Sequence, residues 1–158
     1  RARFTQALER YYASAFAPLK MVVDALEAGH SARERLLWSL PPERVGVVTS
    51  PVEFTDLNVA AGNHPVMIEI EAQCDRFDLA HVVWATGGEY KPAQEMEFVA
   101  GYPGVEYPTY RVTIAAGEQP LTALCLHFPH GARVDLKQVR VREIRVPSAP
   151  QTLPDPGL

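Results

Sequence analysis

A chain of 158 residues, 47% hydrophobic and 22% charged, is long enough for one real core, which excludes wholesale disorder and two comfortable domains. Its net charge of −4, from 15 Lys and Arg against 19 Asp and Glu, is the wrong sign for neutralising phosphates and speaks against nucleic acid as a partner. Two cysteines exclude a disulfide-dense scaffold and a four-cysteine zinc site, and no run of about 18 apolar residues is present to span a membrane.

The chain begins at Arg1, without Met or a signal-peptide pattern, and is expected to be a piece of a longer polypeptide. In residues 1–29, Phe4, Leu8, Tyr11, Ala15, Leu19, Val22 and Leu26 recur at three- and four-residue steps, which predicts a helix. Pro18 removes a backbone donor and predicts a kink, and Gly29 supplies a stop. Ser31 with Glu34 has capping-box spacing ahead of Leu36, Leu37 and Trp38, predicting a short second helix that Pro41 and Pro42 end. Residues 1–43 are thus an α-helical N-terminal segment. Its stripe covers an edge or face of the following domain, or pairs with a second copy to make a homodimer.

From Val45 the period falls to two. Val66, Ile68, Ile70 and Ala72 alternate with Met67, Glu69 and Glu71; Tyr110, Val112 and Ile114 with Arg111 and Thr113; Leu124, Leu126 and Phe128 with Cys125 and His127. Each is a half-buried strand, with one row of side chains inside and one in water. Residues 80–85 and, more weakly, 96–99 add strands, with turns at Gly87-Gly88, residues 101–104 and residues 117–120. About seven strands predict a mainly β antiparallel sandwich over residues 44–146, and the 14 prolines of the chain avoid the middles of its alternating runs. Residues 147–158, with several prolines, read as an extended tail. The last strand changes parity twice, from Val134 and Leu136 to Val139 and Val141, then to Ile144. Bulges or a sheet switch are expected near Lys137-Gln138 and Arg142-Glu143.

The succession of Tyr110 to Ile114, Leu121 to Pro129 and Val134 to Ile144 resembles the end of a jelly-roll module of the galactose-binding-like, carbohydrate-binding type. The resemblance covers about residues 45–146 and rests on pattern. It implies a binding role, with a carbohydrate or similar polar ligand as partner. Independently, a sugar site needs flat aromatic faces and a few fixed polar groups. Trp84, Tyr90, Tyr102 and Tyr107 are the aromatic candidates, with Asp78, Arg111, His81 and Glu89 as polar partners. The structural alternative puts Trp84 in the core and the tyrosines on the sandwich edges. Such modules often carry a structural calcium; Glu53, Asp56 and Glu143 are conceivable ligands, but no loop is densely acidic, so no cofactor is expected.

No catalytic signature is present. His127-Phe128-Pro129-His130 has a metal-like spacing, but Pro129 breaks any helix that would align the two rings, so a strand-end and a turn histidine are expected. Residues 75–78 also read as a turn. Cys125 sits inside an apolar alternation, as an inert thiol does, and either bonds to Cys74 or leaves two free thiols. There is neither a G-x-S-x-G elbow nor a phosphate loop after Gly88. The lack of a catalytic signature, taken with what the resemblance implies, leads to the expectation of a non-catalytic binding module outside the cytoplasm, periplasmic or secreted. The alternatives are an extracytoplasmic sensor domain whose ligand moves the N-terminal helix, and an accessory domain of a glycan-processing enzyme.

Overall fold

The computed structural model describes residues 33–60, 62–115 and 117–145. They form β1 (Arg33–Ser39), β2 (Gly46–Val48), β3 (Val52–Phe54), β4 (Pro65–Cys74), β5 (Asp78–Thr86), β6 (Glu89–Ala100), β7 (Thr109–Ala115), β8 (Leu121–His127) and β9 (Val134–Arg145), with one 3-10 turn at Pro42–Arg44. Two antiparallel sheets result. Sheet A has the order β1-β9-β4-β7, with β2 also on β9; sheet B has the order β3-β8-β5-β6.

The alternation read from the sequence is what holds the sheets together. Along β4, Val66, Ile68, Ile70 and Ala72 are fully buried while Glu69 and Glu71 face outward. Val112 and Ile114 on β7, Leu124 and Leu126 on β8, and Leu136, Val139 and Val141 on β9 join the same core. Phe98 of β6 and Tyr110 of β7 meet across the two sheets at 5.0 Å between ring centroids. Each fully buried Val, Leu or Ile contributes about 1.5–3 kcal/mol of transfer free energy, so these rows dominate the stability.

Three expectations change. Residues 33–39, expected in a short helix, are strand β1, paired antiparallel with β9 from Arg33↔Arg145 to Ser39↔Arg140. Cross-strand pairing with β9 overrides the capping signal here and packs Leu37 and Trp38 against the core. The β layers therefore begin before residue 44, and the described residues hold nine strands rather than about seven. The expected helix over residues 1–29 and the tail at 147–158 lie outside the described residues. Among the described residues, no helix is long and apolar enough to cross a membrane.

The two parity changes of β9 have different origins. At the first, Glu71 faces Gln138 and Ala72 faces Leu136, so Lys137 is the extra residue of a bulge, as expected. At the second β9 itself carries no extra residue: the β4–β9 register runs unbroken from Ile70↔Val139 to Val66↔Glu143, and the register shift against β1 falls at Leu37 of β1, opposite Arg142 and Val141. Glu143 itself takes the inward position, at 1% exposure. Arg35 Nη2 lies 2.6 Å from its Oε2 and Arg145 Nε 2.9 Å from its Oε1. Burial, the largest single influence, pushes this carboxyl up, but the two guanidiniums together outweigh it and hold the pKa below the usual value.

Candidate functional site

Three connections meet at one end of the layers: residues 75–77 between β4 and β5, 101–108 between β6 and β7, and 129–133 between β8 and β9. Hydrogen bonds knit them together. Asp75 N–H donates to the Arg133 carbonyl (3.2 Å) and the Arg133 N–H to Asp75 Oδ1 (2.7 Å). The Arg76 guanidinium donates to the His130 carbonyl. Gly101, at φ +75°, donates its N–H to the Tyr110 hydroxyl (2.8 Å) and lies directly on the Arg76 carbonyl, where a Cβ would collide.

These loops present a pair of exposed rings. Phe77 is 60% and Tyr102 48% exposed, with centroids 5.9 Å apart and planes tilted by 55°. Tyr102 stacks on Tyr110 at 6.2 Å and 23°. Tyr110 in turn packs on Phe98, and Phe98 meets Phe128 edge-on at 6.1 Å. An aromatic file thus runs from solvent into the core and fixes the outer rings on a rigid base. Burial of Tyr110 raises its phenol pKa, so its hydroxyl stays protonated.

The sequence candidates are spread over four places. Tyr102 and Asp78 belong to the loop end, where Asp78 faces Ala100 and its carboxylate accepts the Leu79 N–H (2.7 Å). Tyr107 and Arg111 belong to the outward side of sheet A. The Tyr107 hydroxyl donates to Asp135 Oδ2 (2.8 Å), which raises its pKa, and Lys137 Nζ lies 5.0 Å from the ring centre. Arg111 Nε pairs with Glu69 Oε2 at 3.2 Å. Tyr90 lies on sheet B, donating to Glu53 Oε2 (2.8 Å); burial and then that carboxylate push its phenol far above the ordinary range. Trp84 is in the core at 5% exposure and offers no face to a ligand, a correction to its candidacy as a stacking platform. His81 pairs with Glu95 (2.9 Å), and Glu89 faces Thr86.

Sequence reading missed Phe77, absorbed into a turn. The available signal was a large aromatic between Arg76 and Asp78, where a turn needs only polar residues. It also missed Gln138 and Arg140. With Glu69, Glu71, Thr109 and Arg111 they line a shallow depression of about 120 Å3 on the outward side of sheet A.

Other chemistry is sparse. Cys74 and Cys125 are free thiols, both with pKa raised by burial, so neither is a ready nucleophile. Cys125 Sγ lies 3.3 Å from His127 Nε2. Among the described residues, no group of three or more His, Cys, Asp or Glu side chains is arranged to hold a metal ion. Of the conceivable calcium ligands, Glu53 accepts from Tyr90, Asp56 from Trp38 Nε1 (3.5 Å), and Glu143 is held by two arginines.

The architecture defines a mainly β protein of two antiparallel sheets. No protein-family model and no curated protein matches the chain. Solved structures similar to it include BiXyn10A CBM1 in its apo form, with a TM-score of 0.44 and 9% identity over 69% of this chain and 90% of that one. Another is the CBM36-1 domain of a multidomain xylanase from the hindgut metagenome of Trinervitermes trinervoides, with a TM-score of 0.36 and 12% identity over 70% of this chain and 96% of that one. Function has to be read from the chain's own side chains.

Proposed function

We propose that this chain is a non-catalytic carbohydrate-binding module with a jelly-roll-like β-sandwich, acting outside the cytoplasm as a periplasmic or secreted domain. One observation carries the reading: two large rings, Phe77 and Tyr102, stand in solvent on hydrogen-bonded loops and rest on a buried aromatic file. Exposing them forgoes burial that would stabilise the fold, so their placement calls for a ligand with an apolar face. A pyranose has such a face, and its hydroxyls find polar partners in loop groups such as the Tyr102 hydroxyl and the Asp78 carboxylate.

The test is a glycan array followed by titration of each hit. Tyr102→Ala and Phe77→Ala are expected to weaken binding at least about tenfold, roughly 1.4 kcal/mol each. Thermal unfolding of both variants should stay close to that of the unsubstituted chain, because the removed rings are about half exposed. Undiminished glycan binding in the double variant would refute the assignment of the site.

A further inference from the structure

The depression on sheet A has a charge pattern that its ion pairs do not explain. It is built from two cross-strand rows in register. Thr109 of β7, Glu71 of β4 and Gln138 of β9 form one; Arg111, Glu69 and Arg140 form the next. Glu69 is engaged twice, by Arg111 Nε at 3.2 Å and by Arg142 Nε at 2.5 Å. Glu71 is engaged by Lys137 Nζ at 3.4 Å. Lys137 reaches it because it is the extra residue of the β9 bulge, which sets Gln138 rather than a cation opposite Glu71. Both lining carboxylates are thereby neutralised from the sides. Arg140 is the lining charge left without a counter-ion among the described residues.

The free groups of the depression are thus a guanidinium fork, the Gln138 amide and the Thr109 hydroxyl, and no aromatic or aliphatic residue lines it. A guanidinium matches a carboxylate by two parallel N–H···O bonds, and the amide and hydroxyl can exchange hydrogen bonds with neighbouring sugar hydroxyls. A neutral pyranose would have nothing to stack on here and would leave the positive charge unanswered.

We propose that this depression is a second subsite that binds the carboxylate of an acidic sugar, a uronate, with Arg140 as its anchor. The saccharide part rests on the function proposed above, whereas the carboxylate part stands on the charge pattern alone.

The experiment is an NMR titration of the 15N-labelled chain with sodium glucuronate, with glucose and sodium acetate at matched ionic strength as parallel probes. Glucuronate should shift the Arg140 Nε–H resonance and the amides of Thr109, Arg111 and Gln138; glucose should not, and acetate should bind at least about tenfold more weakly than glucuronate. Arg140→Gln should weaken glucuronate binding by about tenfold or more, as loss of a charge-assisted pair requires. Its unfolding curve should be unchanged. Tyr102→Ala should leave the glucuronate shifts intact, since Tyr102 does not line the depression. Absence of those shifts, equal glucuronate affinity in Arg140→Gln, or acetate binding as tightly as glucuronate would each overturn the proposal. Loss of all array binding with an intact glucuronate titration refutes the aromatic site and leaves this one standing; the reverse pattern refutes this one alone.

Discussion

Trp84 shows how one residue's role is decided by parity and burial together. Its side chain shares the inward row of β5 with Ala80 and Val82, and its indole N–H has no acceptor among the described residues. Removing the ring leaves a cavity, so Trp84→Ala should cost about 3–5 kcal/mol in urea unfolding. Trp84→Phe should cost less than about 1.5 kcal/mol, because it keeps most of the volume and deletes an N–H whose desolvation is uncompensated. Equal losses in the two variants would contradict a packing role. The parity was legible in the sequence, as Trp84 sits two residues from Val82 and four from Ala80 in one alternating run. Parity carries no such information for Phe77, Tyr102 and Tyr107, which lie between strands. Their exposure is set by which loops meet, and that depends on the strand order. The free charge of Arg140 was equally hidden, since it depends on partners from β4 and β7 and on a bulge in its own strand.

Among the elements, the connection at residues 101–108 is the one on which the aromatic pair depends. Gly101 holds a left-handed backbone against the Arg76 carbonyl, so any side chain there is both strained and blocked by backbone. Gly101→Ala is expected to push the two loops apart, with a stability loss of roughly 1–3 kcal/mol. It should also weaken glycan binding, although it removes no ring. Gly104→Ala is the control: its φ is likewise positive, but a Cβ there meets nothing within 4 Å. Stability should fall modestly and binding should hold. Equal binding losses in the two glycine variants would mean that loop contact does not place the rings. The strands were more legible than this connection, because alternation is local. The bulge at Lys137 followed from parity alone, whereas the second parity change had two physical solutions, an extra residue or a buried charge. The chain uses the second. A capping-box pattern likewise misread β1, since its three-residue spacing says nothing about the pairing that β9 offers.

At the scale of the whole molecule, Glu143 links edge strand β1 to the rest of sheet A. Arg35 of β1 reaches it directly, and His64 Nε2, just before β4, lies 3.9 Å from it. Its folded pKa lies below the usual carboxylate value of 4.5, so its ionised form binds the fold more strongly than its protonated form. That contribution is complete above the unfolded pKa and is lost as pH falls through the lowered folded value. Unfolding free energy should therefore decline from about pH 4.5 downward, more steeply in the unsubstituted chain than in Glu143→Gln. At pH 7 the variant should be less stable by roughly 1–3 kcal/mol, since an amide cannot answer two guanidiniums. Arg35 and Arg145 are about half exposed, at 53% and 52%, so water hydrates them when the carboxylate is gone and the loss stays well short of a fully buried pair's. For the same reason 1 M salt should shrink the difference at pH 7. The gap should narrow progressively as pH falls below about 4.5 and Glu143 takes up its proton. A gap of the same size at pH 3 and pH 7 would show that the variant acts through packing and that the ion pairs do not anchor β1.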